Sequence, residues 1–228
     1  MQKASCRLSL LNHFGGPIVR REKKSQCPQL RNMRIGVLVF RVIFYAFVCV
    51  IGLADAIAED NDEAFDPVTG YRIAHYRAAV PDTVKGGTRV DLDTVDELIA
   101  NGALLLDVMP SEGAGPDPAT GQWRLSRPHS SIPGSVWLPD VGRGRITPAF
   151  DNYLSDNLAK LTAGDKFRAI VVFCQSDCWM AWNAVQRIAA LGYDKLYWFP
   201  EGTDGWVEWG DRKLVPATPV RLAPASDP

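Results

Sequence analysis

Apolar residues along this chain cluster into short continuous runs, and from residue 88 onward those runs alternate with amphipathic segments. Ala103–Val108 (ALLLDV) lies between Gly102 and Pro110, Ala169–Phe173 reads AIVVF, and Leu196–Phe199 reads LYWF. Unbroken runs of this length are what parallel strands buried on both faces require. Thr88–Asp91 and Ser135–Leu138 supply two shorter strand candidates. Between them the pattern predicts a helix capped by Asp93 or Thr94 and ending at Asn101-Gly102, and another over Asp151–Leu161. A third helix runs over Met180–Leu191, with Ala181, Val185, Ile188 and Ala189 on one face and Gly192 as its stop. Residues 110–128 are rich in Pro, Gly and Ser and read as a long loop. Strands alternating with helices predict an α/β fold, a five-stranded, mostly parallel sheet with helices on both faces.

Residues 59–87 break that alternation. They carry an acidic start from Asp60 to Asp66 with Asp-Pro and Gly-Gly punctuation, and read as an irregular N-terminal extension. Asp66-Pro-Val-Thr-Gly70 and Asp117-Pro-Ala-Thr-Gly121 share one pattern, which predicts two similar turns. Asp60–Tyr71 has the carboxylates of a calcium loop, but Phe65 stands where the sharp-turn glycine belongs and Tyr71 where the bidentate glutamate belongs, which favours a solvated end. The organisation that results is a front end over 1–58, the extension over 59–87, a domain over 88–215 and a tail over 216–228.

The front end reads as an address. Arg34 and Arg41 precede the apolar run Val42–Ala54, and small residues through Ala58 follow, the pattern of a secretory signal cleaved after Ala58. As a membrane anchor, the uncharged run after Arg41 would span about 20 Å, short of the roughly 30 Å hydrocarbon core. Residues 1–32 lack apolar periodicity, so Met33 is the expected start of translation. Export would place the mature chain in an oxidising compartment and not embedded in the membrane.

Charge changes once that segment is set aside. The whole chain of 228 residues has net charge −1, with 46% hydrophobic and 22% charged residues, enough apolar surface to exclude a disordered chain. Residues 1–58 hold nine basic groups against Glu22 and Asp55, so the remainder carries 16 basic and 24 acidic groups, a net −8. A surface of that sign argues against nucleic acid or an anionic membrane as partner.

Cys6, Cys27 and Cys49 leave with the front end, and the mature part keeps Cys174 and Cys178. Cys174-Gln175-Ser176-Asp177-Cys178-Trp179 follows a buried strand and opens an amphipathic helix. Ligands and nucleophiles of open α/β sheets sit at the carboxyl ends of strands. A helix N-terminus lowers a thiol's pKa and favours an anion beside it. Cys174 is therefore the candidate nucleophile. Two cysteines four apart around a helix start lie about 6 Å apart at Cα, within disulfide range. No metal site is expected, since Cys174 and Cys178 with either His75 or His129 lack a matching ligand pair.

Three elements in order, Leu-Leu-Asp107-Val, Ile132-Pro-Gly-Ser-Val136, and the strand–Cys174–helix unit followed by Glu201-Gly-Thr-Asp-Gly-Trp206, resemble a single-domain rhodanese. Longer stretches resemble one exported branch, the PQQ-dependent catabolism-associated CXXCW motif proteins: Phe65-Asp-Pro-Val-Thr-Gly-Tyr71-Arg-Ile, Ile132 to Pro139, Cys174 to Asn183 and Trp198 to Trp206. The resemblance implies a loop curled around the Cys174 sulfur, with Asp107 beside it. It also implies a periplasmic setting near a PQQ-dependent dehydrogenase or its c-type cytochrome. No cofactor is implied beyond a persulfide on Cys174.

The chain departs from the sulfurtransferase loop Cys-x-x-Gly-x-Arg-Ser by placing Asp177, Trp179 and Met180 at the last three named positions. Arginine there would bind an oxyanion such as thiosulfate, and tryptophan does not. Val108-Met109 replaces the usual Val-Arg, and Ser131 stands where the family's histidine precedes Ile132, with His129 displaced two positions upstream. Ordinary thiosulfate:cyanide sulfurtransfer is therefore not expected. Three functions stay open: a sulfur carrier or transferase using Cys174, a thiol–disulfide protein using Cys174 and Cys178, and a binding module in which Trp179, Trp182, Trp206 and His129 rim the loop.

Overall fold

The computed structural model describes residues 64–223. The expected start at Met33 and the signal sequence before Glu59 lie outside the described residues, among which no helix is long and apolar enough to cross a membrane. The central sheet is built from β1 (Thr88–Arg89), β2 (Leu104–Asp107), β6 (Val136–Trp137), β7 (Ile170–Phe173) and β8 (Leu196–Phe199). Its order is β1-β8-β7-β2-β6, and each neighbouring pair is parallel. This is the five-stranded sheet expected from the apolar runs.

Side-chain alternation along the central strands divides the core in two. Leu104, Leu106, Ile170, Val172, Leu196 and Trp198 join one cluster with Leu154 and Leu158 of α2 (Pro148–Leu161) and Ala184, Val185 and Ile188 of α3 (Trp179–Ala190). Leu105, Val171, Phe173 and Phe199 join the other, with Leu92 and Val95 of α1 (Leu92–Ala100) and Trp206 of α4 (Gly202–Glu208). Both faces are thus covered by helices, the condition under which strands read as unbroken apolar runs.

Local differences from the sequence reading have identifiable causes. The first helix is capped by Asp91 rather than by Asp93 or Thr94; its Oδ1 accepts hydrogen bonds from Thr94 N at 2.9 Å and Thr94 Oγ1 at 2.7 Å. Its extended backbone lets buried Leu92 take the first helical position. The second helix begins at Pro148, where a fixed φ and a missing N–H suit the opening turn. Residues 110–128 contain an antiparallel hairpin of β3 (Gly113–Pro116) and β4 (Trp123–Leu125). Its joining turn is Asp117–Gly121, where Asp117 Oδ1 accepts from the amides of Ala119 and Thr120 at 3.0 Å. Asp66 builds the same turn with Val68 and Thr69, as the shared pattern predicts.

Both ends of the described chain lie on the domain. Residues beyond β9 (Val215–Ala217), which pairs with β5 (His129–Ser131), continue along β6, where Val220 N donates to Trp137 O at 3.1 Å. At the other end, Asn183 of α3 fastens residues 64–84. Its Oδ1 accepts from Arg72 N at 2.9 Å, and its Nδ2 donates to Arg72 O at 2.8 Å and Gly142 O at 2.9 Å. Asn183 is fully buried, so its removal strands a backbone donor and two acceptors in the interior. Asn183→Ala is expected to lower the unfolding free energy by about 2 kcal/mol in urea titration, with residues 64–84 becoming the first site of proteolysis. An unchanged midpoint would contradict this account of how the extension is held.

Candidate functional site

The carboxyl ends of β2 and β7 coincide, because Asp107 pairs with Phe173 in register. Cys174 therefore leaves the sheet beside Asp107. Cys178 is the N-cap residue of α3, and the two cysteines form a disulfide with their Cα atoms 6.2 Å apart. Both are buried, at 1% and 3% exposure. The intervening loop is closed on one side by α4. Thr203 N donates to Cys174 O at 3.0 Å, Ser176 Oγ to Glu201 O at 3.0 Å, and Ser176 N to a carboxylate oxygen of Asp204 at 3.1 Å. Gly202 is required at this contact: its φ is +53°, and a Cβ there would collide with the Cys174 carbonyl. Gln175 pairs with Gly202 in an isolated bridge. Asp177 has φ 53°, the left-handed conformation that a glycine at this loop position adopts freely and aspartate tolerates.

The other side of the loop is closed by the N-terminal extension. Trp179 N, the first helical amide of α3, donates to Tyr76 O at 2.9 Å, and Ala78 N donates to Asp177 O at 3.1 Å. Tyr76 is itself fixed through its hydroxyl, which accepts from Gly144 N at 2.9 Å. Over this seam lies an aromatic stack. The Arg72 guanidinium sits 4.6 Å from the Trp179 ring centre and 5.0 Å from that of Phe65. Phe65 meets Trp179 edge-on at 5.4 Å, and Trp179 meets Trp182 at 5.1 Å. Arg72 is held by Ala74 O at 2.8 Å and by the carbonyl of His75. Trp182 Nε1 donates to Thr83 O at 2.9 Å.

Trp179 and Trp182 thus share a helical face as expected, but they are covered by Phe65, Arg72 and Thr83. Trp206 belongs to the cluster on the opposite face of the sheet, beneath Arg212 at 4.4 Å. These three tryptophans do not form one open rim.

Asp107 gathers the remaining candidates. Fully buried, it accepts from Met109 N at 2.8 Å, from His129 Nε2 at 2.7 Å and from Ser131 Oγ at 2.5 Å. His129 also packs on the Trp137 ring, centres 4.3 Å apart. Met109, oriented through this hub, brings Sδ to 3.4 Å from Cys174 Sγ. A cavity of about 270 Å³ lies beyond it, lined by Met109, Pro110, Arg127, His129, Trp137 and Gln175 among others.

Arg72, Tyr76, Met109 and Asp204 were not singled out by sequence as site residues. Arg72 and Tyr76 follow the Asp66–Gly70 turn, whose Phe65–Ile73 stretch was a signal in plain view. Asp204 lies in a glycine-rich segment that predicts no helix on its own.

The rhodanese-like domain family matches residues 91–208. No curated protein matches the chain. Among solved structures, a polysulfide-sulfur transferase homodimer from Wolinella succinogenes is similar at 18% identity and TM-score 0.34, covering 55% of this chain and 76% of that one. A human single-domain sulfurtransferase is similar at 23% identity and TM-score 0.33, covering 53% and 95% respectively. A complex of the protein EanB with hercynine is similar at 14% identity and TM-score 0.41, covering 68% and 37%.

If the extension restricts access to the disulfide, weakening its stack must expose it. A cation–π contact of roughly 1–2 kcal/mol corresponds to about a tenfold change in an opening equilibrium. Arg72→Ala is expected to speed phosphine reduction of Cys174–Cys178 by about that factor and to red-shift tryptophan emission. An unchanged reduction rate would mean that this stack does not limit access.

Proposed function

The chain belongs to the rhodanese-like domain family, and on that premise we propose that it handles sulfane sulfur at Cys174, with Cys178 as the resolving thiol. The Cys174–Cys178 disulfide at the β7–α3 junction is the observation that carries this reading. With both cysteines reduced, the Cys174 thiolate attacks the outer sulfur of a donor persulfide R–S–SH. Cys174 becomes a persulfide and RS⁻ departs. The Cys178 thiolate then attacks Sγ of Cys174, forming the observed disulfide and expelling hydrosulfide. Two thiol molecules, oxidised together to their disulfide, restore the starting pair. An acceptor that took the outer sulfur before Cys178 attacked Sγ would make the protein a sulfurtransferase.

Thiosulfate is a poor donor for this site. Trp179 N and Ser176 N, two amides of a loop that could face an anion, already bond Tyr76 O and the Asp204 carboxylate. The position that carries arginine in sulfurtransferase loops is Trp179, packed under Arg72. The reading includes export to the periplasm and work beside a PQQ-dependent dehydrogenase or its c-type cytochrome. It is supported by the apolar run that ends in small residues at Ala58, and by the four stretches that resemble the CXXCW branch.

The test is thiol-state mass spectrometry after treating the reduced protein with polysulfide. In Cys178→Ser, Cys174 is expected to gain the mass of one sulfur. In the wild-type protein the expected products are the Cys174–Cys178 disulfide and free sulfide. Cyanide-dependent turnover of thiosulfate should stay near background in both. A Cys174 that gains no sulfur in Cys178→Ser would overturn the proposal.

A further inference from the structure

We infer that the cavity behind Met109 is the binding site for the small thiol that reopens the Cys174–Cys178 disulfide, and that His129 is the base that takes the thiol's proton. The inference rests on the proposed function, since it supplies the reductant that the disulfide needs. Three observations and one chemical requirement converge on it.

The cavity lies against the sulfur chemistry and is separate from the sealed Trp179 side of the loop. It is lined by Met109 and by Gln175, the residue after Cys174, and the Met109 thioether is in contact with Cys174 Sγ at 3.4 Å. Methionine is unbranched and flexible, which suits a side chain that must move aside to admit a reactant.

Its size suits a small ligand. About 270 Å³ is roughly the liquid volume of nine waters, room for a thiol the size of cysteine or cysteamine. A tripeptide thiol is bulkier and fits less readily.

His129 lines the cavity and is held through its Nε2. Its Nε2 donates to Asp107 at 2.7 Å, which leaves the lone pair on Nδ1. Asp107 is fully buried and is fixed by Met109 N and Ser131 Oγ, so the pair is rigid, and the His129 ring is packed on Trp137. The other charged groups on the cavity, Glu112 and Arg127, form an ion pair with each other.

The chemistry needs such a base. Small thiols are mostly protonated near neutrality, and the thiolate is the nucleophile. In the step proposed, the thiol proton passes to His129 Nδ1 and the thiolate attacks Cys174 Sγ. The Cys174–Cys178 bond breaks, leaving a mixed disulfide on Cys174 and a thiolate on Cys178, which takes a proton from solvent. A second thiol molecule attacks the mixed disulfide, releases a small-molecule disulfide and regenerates the dithiol.

Full-length oxidised protein is reduced with cysteamine, with glutathione and with a phosphine, which attacks disulfides without losing a proton. Cysteamine reduction of the wild type is expected to be saturable and faster than glutathione reduction. His129→Ala should slow cysteamine by about a hundredfold or more, in the range of general base catalysis, leave the phosphine rate unchanged, and regain rate on addition of imidazole. Met109→Phe, which narrows the cavity without touching His129, should slow cysteamine more than phosphine. Equal slowing of both reductants in His129→Ala, or no rescue by imidazole, would overturn the role of His129. If His129→Ala fails to fold, a Met109→Phe rate ratio equal to wild type would overturn the cavity as the route. Neither failure touches sulfur loading of Cys174, which is read separately in Cys178→Ser.

Discussion

One hydrogen bond organises the chemistry of this molecule: the first helical amide of α3, on Trp179, donates to the carbonyl of Tyr76. A helix N-terminus at the end of a parallel strand is a ready-made anion site, with unpaired amides and the positive end of the helix dipole. Here a backbone carbonyl of the chain's own N-terminal extension takes that place, and the Asp204 carboxylate takes the Ser176 amide. Those two donors are thereby satisfied internally. Everything above that seam, the Arg72–Phe65–Trp179 stack and the Asn183 clasp, holds the extension down. Everything below it is the disulfide. A rhodanese-like fold is thus retained with the Trp179 side of its cysteine loop covered.

The two ends of the loop have different physical characters. On the Trp179 side the contacts are aromatic, buried and made by a segment about a hundred residues distant in sequence, with Arg72 and Asn183 separated by 111 positions. On the Met109 side they are polar and close-knit, and one buried carboxylate, Asp107, sets the positions of Met109, His129 and Ser131 together. A buried charge with three donors around it is costly to disturb and therefore rigid. With the histidine at position 129 rather than directly before Ile132, Ser131 and His129 each supply Asp107 with a donor.

What was legible in the sequence follows from which forces are local. The buried strands are visible because both their faces are covered, so their apolar runs are continuous, and the cysteine loop is visible because it follows one of those runs. Covalent reach alone placed Cys174 and Cys178 within bonding distance. The hairpin at Gly113–Leu125 was not legible, since Trp123 is buried by the C-terminal residues, its Nε1 donating to Val220 O across 97 positions. The helix at Gly202–Glu208 contains two glycines and forms because it packs on the Cys174 loop, a tertiary cause that propensity does not carry. The two Asp-Pro-x-Thr-Gly turns were readable for the opposite reason, each being closed by its own aspartate. Trp179 was recognised as the departure from the family loop, yet its partner, Arg72, could be found only once the extension had been folded back over the helix.

The most direct test of the sealed loop is amide hydrogen exchange at Trp179 and Ala78 in the full-length oxidised protein, with and without thiosulfate. Both amides are expected to be strongly protected and to exchange together, because one segment holds them, and thiosulfate is expected to leave their rates unchanged. Rapid exchange at Trp179, or protection that appears only when thiosulfate is added, would contradict the account, since it would mean that the cradle stands open to an anion.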